Sequence, residues 1–196
     1  DEKDNLYAYV SIYGKGSSEL IRDEIVKYDS NGKEIRKLAS IDYSNESAEK
    51  QVSTRTSPLN YEDGYLAFAD YKKNAIDIYS VKTDTGRKTM LGSVKDSTPF
   101  GYIDLEPNSS GEYYYVKSSG EIGKGSLASG SSGNAKADTS ANETVLCRAP
   151  YNISSGKGVR PFYVRKTDAG IFVMDYWGGA LYELKDGKLA ATDFDA

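Results

Sequence analysis

Asp70 and Asp175 each close an aromatic-rich run and each is followed by tyrosine, in Ala67-Phe-Ala-Asp-Tyr71 and Phe172-Val-Met-Asp-Tyr176. Carboxylates at equivalent places in repeated units would line one face, and a pair about 5–9 Å apart with one in an apolar pocket can cleave glycosides. The simpler role of an acid at a strand end is to accept hydrogen bonds from the backbone of its own turn, and that role is the one expected here. The chain contains no His. This removes the commonest general base and metal ligand, and with them His-dependent triads and His-zinc sites. Cys147 is the single cysteine, set in Glu143-Thr-Val-Leu-Cys147, and is expected to be a buried, inert thiol.

Other short motifs carry less chemistry. Asp29-Ser-Asn-Gly32 begins like a calcium loop, but the twelfth position is Ser40 rather than an acid, and a hairpin turn accounts for it. Gly14-Lys-Gly16 and Gly123-Lys-Gly125 are too short to cradle a phosphate and open no helix. No cofactor or metal is expected. Tyr176-Trp177-Gly178-Gly179 sets an indole beside two glycines, which suits either a hot spot for a partner or a platform for a sugar ring. Packing of Trp177 back onto the end of the core is an equal alternative. Tyr176, Trp177, Asp175, Asp70 and Tyr71 together form the candidate ligand-binding set.

The elements that must position these residues are strands. Seventeen Tyr among 196 residues supply large rings with a polar tip, a composition suited to half-buried pleated surfaces. Four segments start at a turn and run apolar or aromatic: Asp4–Val10, Asp63–Ala69, Ser110–Val116 and Asp168–Met174. They recur about every 50 residues, and downstream of each a second strand turns at a glycine and returns as a third. Asn31-Gly32, Thr85-Gly86 and Asp186-Gly187 supply the turns. In the third unit the second strand is expected at Val145-Leu-Cys-Arg148. Tyr113 and Tyr115 are expected to share one face of their strand, with Tyr114 on the other.

The expected fold is all-β: a β-propeller-like array of about four antiparallel hairpin units, closed as four blades or part of a larger ring. A β-sandwich is the alternative, since it also has many short strands. One domain over residues 1–196 is expected, with a flexible Ser/Gly-rich insertion at about 117–144 inside the third unit. Deleting residues 120–140 is therefore expected to change stability little. Ser44–Val52 is polar and short, and reads as a loop or one turn of helix.

Gly170-Ile-Phe-Val-Met-Asp-Tyr-Trp-Gly-Gly-Ala-Leu-Tyr-Glu-Leu-Lys-Asp-Gly-Lys188 resembles repeats of the YWTD-like propellers and of related bacterial secreted propellers: an aromatic strand ending in Asp, a loop, a Leu-Tyr strand, then Asp-Gly and a base. Ala67–Tyr79 is similar to a looser copy. The resemblance implies a fold rather than an activity.

Net charge of −4 with no block of one sign excludes the basic stripe that nucleic acid requires. No run is apolar and long enough to span a membrane as a helix. A start in charged residues just before an apolar strand is how a processed secreted domain would look, and an extracellular or cell-envelope setting is expected, as a secreted or lipid-anchored bacterial protein. The expected function is a non-catalytic interaction module, not an enzyme, that binds a protein or glycan through loops at one rim. The alternatives are a carboxylate-based glycan-active enzyme and a structural segment of a larger envelope protein that associates with further blades.

Overall fold

The computed structural model describes residues 1–16, 19–43, 55–72, 74–96, 101–127, 142–149, 158–175 and 179–193. Among them there is no helix, and the expected loop or helical turn at Ser44–Val52 lies outside them. The first sheet is a meander of β1 (Leu6–Tyr13), β2 (Leu20–Tyr28) and β3 (Glu34–Asp42). The second places β4 (Arg55–Thr56) and β5 (Asn60–Glu62) along one edge of β6 (Tyr65–Tyr71), followed by β7 (Ala75–Lys82) and β8 (Lys88–Lys95). The third runs β9 (Tyr102–Pro107), β10 (Glu112–Lys117), β11 (Glu121–Ser126) and β12 (Asn142–Arg148). The fourth runs β13 (Pro161–Thr167), β14 (Gly170–Asp175), β15 (Leu181–Lys185) and β16 (Lys188–Ala191). Every pairing is antiparallel.

Two hairpins show why these sequences turn where they do. Asp63-Gly64 and Asp186-Gly187 both have their two central residues at positive φ, the backbone twist that two-residue hairpins need. Asp29 uses its side chain for the same purpose: its Oδ1 accepts the Asn31 and Lys33 N–H groups, both at 2.9 Å, so this motif is a turn.

Three apolar layers lie between successive sheets. Ile25, Leu38, Ile41 and Tyr43 of the first meet Leu66, Phe68 and Val81 of the second. Ala69, Tyr71, Ile76, Ile78 and Val94 meet Tyr102, Leu105, Tyr113 and Tyr115 of the third. Val116, Ile122 and Cys147 meet Val164 and Val173 of the fourth. A sandwich has one such layer shared by two sheets; here each middle sheet is covered on both faces. Strand β6 reflects this directly, being buried from Leu66 to Tyr71 without alternation. The end sheets keep one open face each, marked by exposed Leu6 at one end and exposed Met174 at the other. The fold is therefore a propeller-like radial array of four meander sheets. Strand β9 meets both β6 and β13, so the first strands of the later sheets lie together on the inner side.

The third sheet departs from the expected phase. Its second hairpin is completed by β11, inside the stretch read as a flexible insertion over 117–144, and the Val145–Arg148 segment belongs to its outermost strand. Two glycines of β11, within the stretch that suggested an excursion, have a packing cause. A Cβ at Gly123 would stand 2.3 Å from Tyr115 Cζ, and one at Gly125 would stand 2.4 Å from Tyr113 Cζ. The glycines are seats for two core tyrosine rings. A deletion of 120–140 would remove β11 and the fully buried Ile122. Residues 128–141 lie outside the described residues.

Candidate functional site

The tyrosine triple of β10 alternates as expected, with Tyr113 and Tyr115 in the layer against the second sheet and Tyr114 turned toward the fourth. Their hydroxyls end on acids. Tyr102 and Tyr113 donate to Glu143 Oε1, the latter at 3.2 Å, and Tyr115 donates to Glu121 Oε1 at 3.1 Å. Lys117 Nζ closes the cluster, 2.6 Å from Glu143 Oε2 and 4.7 Å from the Tyr115 ring centroid. Burial, reinforced by Glu143, pushes the Tyr102 and Tyr113 phenols up. The cluster is satisfied within its own sheet and reads as structural.

Asp70 and Asp175 sit on the second and fourth sheets, with the third between them. Asp70 is 2% exposed and its Oδ2 lies 2.7 Å from Lys72 Nζ. Asp175 accepts the Arg160 N–H at 3.1 Å, across the start of its own sheet. Asp175 thus holds a backbone N–H at the start of its sheet, whereas Asp70 is held by the ammonium of a residue two positions on. Tyr176 and Trp177 lie outside the described residues. Cys147 is buried, and burial pushes its thiol up.

A feature of the inner strands went unread in the sequence. Asp104 and Glu106 lie two residues apart on β9, so the pleat sends both the same way. Asp104 Oδ2 accepts the Val164 N–H at 3.0 Å and Arg165 Nη1 at 2.7 Å; Glu106 Oε2 accepts the Lys166 N–H at 2.6 Å. Because β13 is an edge strand, these N–H groups have no ladder partner, and the neighbouring sheet supplies carboxylates in place of a strand. Asn60 does the equivalent one sheet earlier, donating from Nδ2 to the Pro107 carbonyl at 3.0 Å. The signal was present as two acids spaced by two within an otherwise apolar run.

Two depressions flank this zipper. A groove of about 300 Å³ on the inner side takes residues from all four sheets or their connections: Tyr9, the Thr56-Ser57-Pro58 segment with Tyr71, Ile103 with Asp104, and Phe162 with Tyr163. Four of these side chains are aromatic. Tyr9 OH donates to the Ser57 carbonyl at 3.1 Å, and the Phe162 and Tyr163 rings meet edge-on at 4.6 Å, which fixes the walls. Of the residues singled out from sequence, Tyr71 is the one that lines it.

A second pocket of about 400 Å³ opens where the first strands end and turn into the second. Asn60, Tyr61 and Glu62 come from β5, Glu106 from β9, and Glu112 with Tyr114 from β10. Lys166, Thr167 and Asp168 close it from the fourth sheet. Burial pushes Glu106 up to about 7, against the opposing pull of the Lys166 N–H. Among the described residues no group of His, Cys, Asp or Glu is arranged to hold a metal ion.

No family model and no curated protein matches the chain. Solved structures do. A protein from Lactobacillus plantarum is 14% identical with a TM-score of 0.51, over 98% of this chain and 54% of that one. A nidogen/laminin complex is 14% identical with a TM-score of 0.48, over 88% and 55%. The Cps50 (Swd1) β-propeller domain of Myceliophteria thermophila is 12% identical with a TM-score of 0.46, over 100% and 85%. The chain thus spans about half the length of the first two. At these identities the likeness concerns the fold alone: four meander sheets in a propeller-like array.

Proposed function

We propose that the chain is a non-catalytic interaction module, in an extracellular or cell-envelope setting, that binds a protein or glycan ligand on its inner side. The observation that carries this reading is the aromatic groove, walled by Tyr9, Tyr71, Phe162 and Tyr163 of the first, second and fourth sheets together with Ile103 and Asp104 of the third. Concave aromatic walls with a few polar atoms suit the apolar faces of sugars and of extended peptides. The local engagement of Asp70 and Asp175 supports binding over carboxylate catalysis.

Titrating the protein against a panel of neutral oligosaccharides and a peptide library tests it. Tyr163, at 39% exposure, can be truncated with little cost to folding. Tyr163→Ala is expected to weaken the ligand found by about tenfold or more. Unchanged affinity would remove the groove from the reading. Turnover of any glycan that disappears in Asp70→Asn or Asp175→Asn would establish the enzyme alternative instead.

A second reading has its own support in the open end faces. Leu6 is 59% exposed and Met174 43% exposed, each on a sheet face of the kind that elsewhere in the chain packs against a neighbouring sheet. These faces suit association with further blades.

A further inference from the structure

We infer that the pocket where the first strands turn into the second binds an organic cation, an ammonium or guanidinium group, between Glu106 at its base and the acids at its mouth. Four carboxylates, Glu62, Glu106, Glu112 and Asp168, line the space against one ammonium, that of Lys166. That ammonium is turned onto the Thr167 carbonyl. Glu106 is 7% exposed, and its Oε2 accepts the Lys166 N–H; among the described residues no hydrogen bond reaches Oε1, which belongs to a side chain that lines the cavity. A carboxylate more than nine-tenths buried with an unused oxygen leaves a strong acceptor beside an opening of about 400 Å³.

The same walls decide what kind of cation fits. The acids are too dispersed to gather on a metal ion, since no such group exists among the described residues. Tyr61 and Tyr114 contribute aromatic wall, which favours a large, weakly hydrated charge over a compact hydrated one. The remaining charged groups around Glu106 oppose one another: Arg165 and Lys166 favour its ionised form, and Asp104 disfavours it. Glu106, pushed up to about 7 by burial, is only partly ionised at neutral pH, so a cation that draws it into the carboxylate form binds more tightly as pH rises. The site is separate from the aromatic groove and stands or falls without it.

The cation has two sources, a small free base or a basic side chain on a protein. NMR titrations at low salt with n-butylguanidinium and with the capped tripeptide acetyl-Gly-Arg-Gly-amide separate them. Saturable shifts at Glu106 and Tyr114 are expected with both probes, and tighter binding of the tripeptide assigns the site to a protein partner. Tighter binding of the small cation assigns it to a free base. Affinity is expected to rise between pH 6 and pH 8 and to fall by roughly tenfold in Glu106→Gln, which keeps an oxygen for the Lys166 N–H. The surface variants Asp168→Asn and Glu62→Gln, which bury nothing, are each expected to weaken binding about threefold and keep the test intact should Glu106→Gln fail to fold. Absence of saturation up to about 10 mM, a millimolar limit of specific binding, or equal affinity in wild type and all three variants, overturns the inference.

Discussion

Asp104 of β9 accepts the backbone N–H of Val164 on β13 at 3.0 Å, and Glu106 repeats the bond two residues on with Lys166. An edge strand inside a radial array needs partners for its outward N–H groups, and among the described residues no strand pairs with β13 on the side away from β14. Carboxylates can reach across the gap between sheets where a backbone cannot. Removing Asp104 strands the Val164 N–H and takes the carboxylate partner from the Arg165 guanidinium, which keeps the Val164 carbonyl. Asp104→Ala is therefore expected to cost about 2–4 kcal/mol in chemical denaturation, and Asp104→Asn about half as much because one oxygen acceptor remains. A cost under about 0.5 kcal/mol would mean that water replaces the bond freely.

Glu106 gives that zipper a pH dependence. Its carboxyl is pushed from 4.5 up to about 7 in the folded chain. Below the unfolded value both states hold the proton and its stabilising contribution is complete. As pH rises through about 7 the unfolded chain has already released its proton, and stability is lost. Gln at this position cannot titrate. Relative to wild type, Glu106→Gln is expected to gain roughly 2–3 kcal/mol between pH 5 and pH 8. Parallel stability profiles for the two proteins would contradict the burial-driven shift.

The open end faces predict a separation of stability from association. Leu6→Lys and Met174→Lys replace exposed side chains, so unfolding midpoints are expected to move by no more than about 0.5 kcal/mol equivalent. Sedimentation velocity is expected to show less self-association in the double variant than in wild type. A wild-type chain that remains monomeric at all concentrations would argue that these faces do not drive assembly.

Much of the fold was legible because it is written in local chemistry. Asp-Gly turns, strands that begin at them and a period near 50 residues fix three of the four meanders and the facing of Tyr113 and Tyr115. Strand β11 was not legible, since Glu121-Ile-Gly-Lys-Gly-Ser126 has the composition of a loop and becomes a strand only when rings from β10 lie across its glycines. The site was less legible still. Asp70 and Asp175 drew notice through their positions at strand ends, whereas Asp104 and Glu106 act across a sheet boundary that no single segment reveals.

Gly125 offers the sharpest check on that ring-over-glycine packing. A Cβ there would meet Tyr113 Cζ at 2.4 Å, its hydroxyl at 2.5 Å and Cε2 at 2.7 Å, so all three of its nearest contacts belong to one side chain. The ring is fully enclosed against the second sheet and has no room to retreat. Gly125→Ala is expected to destabilise by about 2–3 kcal/mol, as overpacking of a filled core does. In a Tyr113→Ala background the obstacle is gone, and the same substitution is expected to cost less than about 0.5 kcal/mol, leaving a large coupling term in the double-mutant cycle. Additive costs would show that the glycine answers to backbone geometry rather than to the ring, and β11 would then need another reason for its composition.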